Sequence, residues 1–156
     1  MEDHPIENRL LALGLTIPEA PKSVANYVPV TSAGPILFVS GQLPMVDGNL
    51  LYRGQLKPGD DIADAAEAAR ICMINVLSQV RTTAGNLDRV EKVLRIAGFV
   101  NSAPGFADHP KVVNGASDLA VDLFGERGKH ARAAVGSSSL PLDALVEVEA
   151  VILLKV

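Results

Sequence analysis

The residues of this chain best suited to chemistry are one arginine and two glutamates near its C-terminal end. Arg132 sits in the run Ala131-Arg132-Ala133-Ala134-Val135, and Glu147 and Glu149 alternate with Val146, Val148 and Ala150. Both runs read as strands, over 131–138 and 145–154, joined by a turn containing Leu140-Pro141. Residues two apart on a strand share a face, so the two glutamates project together. A guanidinium fork can hold a carboxylate through two parallel hydrogen bonds. A carboxylate beside it can orient water or move a proton. Two readings follow from the spacing. Arg132 is salt-bridged to Glu147 or Glu149 across an antiparallel hairpin and holds register, or it waits for the carboxylate of a ligand. Pattern alone does not set the hairpin register and leaves both open.

Other candidates carry weaker signals. Ser40-Gly41-Gln42 follows the apolar run at 36–39. A glycine there permits close backbone approach to a ligand, with Ser40 as donor, although a bulge is the simpler reading. Tyr27 is one of two tyrosines and could hydrogen-bond a ligand, or simply be a half-buried strand residue. His4, His109 and His130 are scattered, and with the single Cys72 they show no zinc-ligand spacing. They also build no Ser-His-Asp constellation, and neither G-x-G-x-x-G nor a Walker loop occurs. His130, two residues from Arg132, is placed either to touch the same pocket or to serve the fold. Cys72, between Ile71 and Met73, reads as a buried, inert thiol.

Composition and periodicity say what must position these groups. At 156 residues, 48% hydrophobic and 21% charged, the chain is expected to form one globular domain. A net charge of −4, 4% aromatics and no tryptophan argue against a nucleic-acid surface. No apolar run is fit to span a bilayer. The acidic start Met1-Glu2-Asp3-His4-Pro5 does not resemble a signal peptide, and the lone cysteine fits a reducing cytosol, so a cytoplasmic location is expected. A short helix is expected over 6–15, then a connector with Pro18 and Pro21. Strands follow at 26–31 and 36–39, and a turn at Asp47-Gly48. Helical periodicity over 62–83 and about 106–124 brackets a strand at 90–101. Two amphipathic helices on a mixed sheet make a two-layer α+β or α/β sandwich with one sheet face bare. The last strand is nevertheless apolar on both faces, through Val146, Val148, Ala150, Ile152 and Leu154 on one and Val151 and Leu153 on the other. A second copy is therefore expected to cover the bare face.

The chain resembles the RidA/YjgF family of reactive intermediate deaminases, also called the L-PSP endoribonuclease family. The resemblance rests on Tyr27-Val28, Phe38-Val39-Ser40-Gly41-Gln42-Leu43-Pro44, the segment from Phe106 to Asn114, Ala131-Arg132 with Leu140-Pro141, and Glu147-Val148-Glu149-Ala150. It implies a chorismate-mutase-like α+β two-layer sandwich forming a homotrimer with sheets inside. The resemblance covers about 26–155, so the expected organisation is an N-terminal helix and connector over 1–25 ahead of a family domain over 26–156. The implied reaction is hydrolysis of 2-imino or enamino acids to 2-keto acids and ammonia, with no metal or organic cofactor. By resemblance Arg132 binds the substrate carboxylate and Glu147 positions the attacking water. Tyr27, Ser40, Gly41 and Asn114 match positions lining an inter-subunit pocket. The family's usual Ser-Cys-Val-Glu-Val after the arginine is Ala133-Ala134-Val135-Gly136-Ser137 here, so Ala134 occupies the cysteine position. The Gly-Glu-Arg-Gly-Lys-His segment at 125–130 and the N-terminal extension mark a distinct branch. The alternative is a non-catalytic protein that binds or senses small carboxylates in the same pocket, with endoribonuclease activity third.

Overall fold

The computed structural model describes residues 4–21 and 26–156. The expected domain boundary at 25/26 and the acidic start at Met1-Glu2-Asp3 fall on or against residues outside that description. The chain begins with α1 (Pro5–Ala12), then β1 (Val30–Ala33), β2 (Ile36–Gln42) and a small hairpin of β3 (Met45–Val46) and β4 (Asn49–Leu50). It continues through α2 (Ala63–Ala84), β5 (Val90–Asn101), α3 (His109–Phe124), β6 (Ala131–Ser137) and β7 (Val146–Leu154). Five strands form one mixed sheet in the order β1-β2-β7-β5-β6, with β6 parallel to β5 and the other pairs antiparallel. This is the α+β sandwich expected from the pattern, with the chorismate-mutase-like topology.

The helices lie on one side. α2 packs on β7 and β2, α3 packs on β5 and β6, and the two helices pack against each other. The core between the layers is aliphatic, with Met73, Leu77, Ile96, Leu123 and Ile152 fully buried. Two glycines allow these layers to close. A β-carbon on Gly98 of β5 would strike the methyl groups of Val113, and one on Gly115 of α3 would strike the backbone carbonyl of Ala66 on α2. α1 joins the same core through Ile6 and Leu10. Its N-terminus is held by Asp88, whose carboxylate accepts the Ile6 N–H at 2.7 Å.

β7 alternates buried and half-buried side chains along its length, with the half-buried set on the face away from the helices. On that face Phe38 is 46% exposed and Val135 45% exposed. This is the bare, partly apolar surface expected from the last strand.

One expectation is overturned. β6 and β7 do not form a hairpin, because β5 lies between them and pairs with both. β5 is twelve residues long and largely buried, so it needs partners on both edges. β6 carries three alanines and a glycine, is poorly suited to a sheet centre, and takes the edge instead. The chain reaches β7 by crossing the end of β5, where the Asn101 N–H donates to the Leu145 carbonyl at 2.9 Å.

Candidate functional site

The fate of Arg132 follows from its strand. It registers with Ile96 of β5, a fully buried residue of the helix-facing side, so its side chain leaves the sheet toward α3. Asn114 and Ser117, three apart on α3, present their side chains to it. Arg132 Nη1 donates to Asn114 Oδ1 at 2.7 Å and to Ser117 Oγ at 3.2 Å. Both hydrogens of Nη1 are thereby engaged. The Nε and Nη2 hydrogens have no partner among the described residues, and the arginine is exposed. That edge is the fork that takes a carboxylate side-on in two bonds. The salt-bridge reading is therefore set aside: Arg132 pairs with neither glutamate, and Glu149 lies instead 3.8 Å from Arg95.

Glu147 is on the other side of the sheet. It registers with Phe99 of β5, three residues beyond the partner of Arg132 and on the opposite edge of that strand. An odd offset places the two side chains on opposite faces. The backbone separation is about 10 Å along the strands and about 10 Å across them. A single copy cannot bring Arg132 and Glu147 to one small ligand.

What Glu147 does meet is Gly41. A β-carbon on Gly41 would overlap the Glu147 carboxylate, lying 2.8 Å from its Cδ and 3.0 Å from its Cγ. Gly41 stands at the irregular register between Val39 and Gln42, where β2 leaves β7. The absent side chain lets the carboxylate fold against bare backbone. Half-burial there raises the Glu147 carboxyl above its ordinary value, and the negative charge of Glu149 adds to the rise. A carboxyl so placed holds its proton to higher pH than an exposed one.

Tyr27 and Ser40 lie on the Glu147 side. Both line a cleft of about 520 Å³ on the bare face, with Phe38, Arg95, Glu149 and Val151. The six residues singled out from sequence thus form two groups. Tyr27, Ser40, Gly41 and Glu147 gather on the bare face, whereas Arg132 and Asn114 gather on the helix face at the β6 edge. Ser117 was not anticipated, although its i,i+3 spacing from Asn114 is the signal that could have found it. Among the described residues no group of His, Cys, Asp and Glu is arranged to hold a metal ion, and no helix is long and apolar enough to cross a membrane. Cys72 is fully buried, and burial, then the charge of Glu147, raises its thiol well above the ordinary range.

Comparison with known proteins bears on this arrangement. Residues 7–154 match the family model described as "YjgF/chorismate_mutase-like, putative endoribonuclease". The protein TCP17 of Trypanosoma cruzi is 44% identical over 92% of this chain and 90% of its own length. A crystal structure of a protein with unknown function from Agrobacterium tumefaciens is 45% identical, covers 97% of this chain and 93% of that one, and superposes with a TM-score of 0.89. A Shewanella oneidensis structure carrying the same endoribonuclease label is 36% identical, covers 97% of this chain and 100% of its own, and has a TM-score of 0.90.

Proposed function

This chain belongs to the YjgF/chorismate-mutase-like family, and we propose that it hydrolyses reactive 2-imino and enamino acids to 2-keto acids and ammonia in a pocket shared by two copies. One observation carries the reading: Arg132 has Nη1 fully occupied by Asn114 and Ser117 while its Nε–Nη2 edge has no partner among the described residues. Such an edge fits the carboxylate that every 2-imino acid bears next to its reacting carbon. The opposite-face placement of Glu147 is then met by assembly. The β6 edge of one copy, with Arg132 and Asn114, faces the Gly41–Glu147 corner of the next, with Tyr27 and Ser40 at its rim. The exposed Phe38 and Val135 supply apolar surface for that contact, and we assign a homotrimer with the sheets inside.

The chemistry follows from these parts. Arg132 anchors the substrate carboxylate and fixes the position of the adjacent C=N carbon. An enamine first takes a proton on its β-carbon from the Glu147 carboxyl, which its half-buried setting keeps protonated to higher pH. Water then adds to the iminium carbon and loses a proton to the Glu147 carboxylate. The Glu147 carboxyl passes that proton to the nitrogen of the carbinolamine, ammonia leaves, and the hydroxyl proton returns to the Glu147 carboxylate as the keto acid forms. Charge balances without a redox step or cofactor. The reading places the protein in the cytoplasm, in keeping with a lone, buried and unpaired Cys72. The endoribonuclease label of the family is disfavoured by the net charge of −4.

The test is an assay that generates 2-iminopropionate or 2-iminobutyrate in situ and follows its loss. Decay faster than in buffer, abolished by Arg132→Ala, supports the proposal. Binding of keto acids without any acceleration would replace it with the carboxylate-binding alternative.

A further inference from the structure

Behind Arg132 lies a chain of hydrogen bonds that no ligand contact requires. His130, at the entry to β6, places Nδ1 2.6 Å from the carbonyl of Gly128 and Nε2 2.9 Å from Ser117 Oγ. Ser117 Oγ in turn lies 3.2 Å from Arg132 Nη1. The direction of every bond is set by its ends. A carbonyl only accepts, so Nδ1 of a neutral His130 carries the hydrogen and Nε2 is an acceptor. Ser117 must then donate its O–H to Nε2, which turns its lone pairs toward Arg132. At the other end Arg132 can only donate. The sequence Arg132 to Ser117 to His130 thus has one polarity, and such chains reinforce their members.

The anchor of this chain is itself fixed. Gly128 is buried with its α-carbon against the backbone of α3, where a β-carbon would lie 2.6 Å from the Ala120 carbonyl carbon and 2.9 Å from Val121 Cα. Only a glycine lets the 125–128 turn (Gly125–Gly128) seat there and aim its carbonyl at the imidazole. The Gly-Lys-His spelling of 128–130 thereby acquires a purpose that its sequence alone did not reveal.

We propose that Ser117 and His130 are positioning residues that lock the guanidinium plane of Arg132, so that its free edge faces the substrate carboxylate. This rests on the reading of Arg132 as the carboxylate anchor. A planar guanidinium held at one nitrogen by one acceptor swings about that bond, whereas two acceptors on the same NH₂ define both its position and its plane. Asn114 supplies one acceptor and Ser117 the other. His130 keeps Ser117 in that role. Without an acceptor at Nε2, a serine inside a helix turns its hydroxyl back to the carbonyl four residues earlier, here Val113.

Two readouts test this separately from the parent reading. The first needs no ligand: ¹⁵N NMR should show His130 as the Nδ1–H tautomer and a sharp Arg132 Nε–H signal that broadens in Ser117→Ala and His130→Leu. The second is calorimetric binding of 2-oxobutyrate together with imine-decay kinetics. Ser117→Ala and His130→Leu should raise Kd and KM about tenfold with kcat within about twofold, and Ser117→Thr, which keeps the hydroxyl, should restore both. An Nε2–H tautomer in the wild type overturns the proposal. So do an unchanged Arg132 signal and KM in Ser117→Ala. A wild type that shows the expected NMR signature but binds no keto acid overturns the parent reading and leaves the positioning role standing.

Discussion

Gly41→Ala isolates the contact between β2 and Glu147. The backbone at Gly41 is not in the left-handed region, so alanine adopts it without strain. The added methyl would sit 2.8 Å from Glu147 Cδ, whereas an unstrained carbon contact needs roughly 3.5 Å or more. The carboxylate must therefore withdraw by about 1 Å. A flexible glutamate tip can do that at little cost to the fold. Replacing glycine also restricts the unfolded chain, a gain of about 0.4–1 kcal/mol that offsets part of the strain. Melting should thus shift by no more than a few degrees. Turnover should suffer far more, because a displacement of about 1 Å in a reacting group costs on the order of 100-fold. The assay is imine decay with the wild type, Gly41→Ala, Glu147→Gln and the double variant. If Gly41 acts through Glu147, adding Gly41→Ala to Glu147→Gln costs little further. A full additional 100-fold in the double variant would show that Gly41 acts directly on the ligand, and an unimpaired single variant would refute the reasoning altogether.

The raised Glu147 carboxyl also makes a statement about stability. The folded state keeps a proton that the unfolded chain has lost, so stability falls as pH rises from the unfolded pKa through the folded one. Glu147→Gln should melt with the wild type below about pH 4 and above it at pH 8; a gap that does not grow with pH contradicts this. Gly98→Ala should lower unfolding free energy in urea by about 1–3 kcal/mol, since Val113 can partly yield. Gly115→Ala should cost more, because the obstacle is the Ala66 backbone, and the reverse order would mean the two helices separate easily. Cys72, fully buried with its thiol held protonated, should resist iodoacetamide until the chain unfolds; modification of the native protein at a comparable rate would deny that burial.

Long, strongly periodic elements were legible in the sequence. The helix expected over 62–83 is Ala63–Ala84, and the strand expected over 90–101 is Val90–Asn101. Their apolar repeats leave few alternative faces. The second long helix starts at His109 rather than near Phe106, since Pro110 suits only a first turn and forces the start. The first strand runs Val30–Ala33, later than the expected 26–31, for a four-residue edge strand has too little pattern to mark its ends. What pattern could not reveal was adjacency. Arg132 and the glutamates read as hairpin neighbours because they are close in sequence, yet the burial demanded by β5 separates them. The free edge of Arg132 and the Ser117–His130 chain depend on α3 crossing beside β6, which no local spacing encodes.

The central claim is that Arg132 of one copy and Glu147 of the next complete a single catalytic pocket. Arg132→Ala and Glu147→Gln should each be slowed at least about 100-fold in imine hydrolysis, and the two proteins, unfolded together and refolded as a mixture, should regain activity. Random assembly places an intact arginine opposite an intact glutamate in about one quarter of pockets, so about a quarter of wild-type activity should return. Mixed oligomers that stay as inactive as either parent would contradict the account, since both residues would then have to come from the same copy.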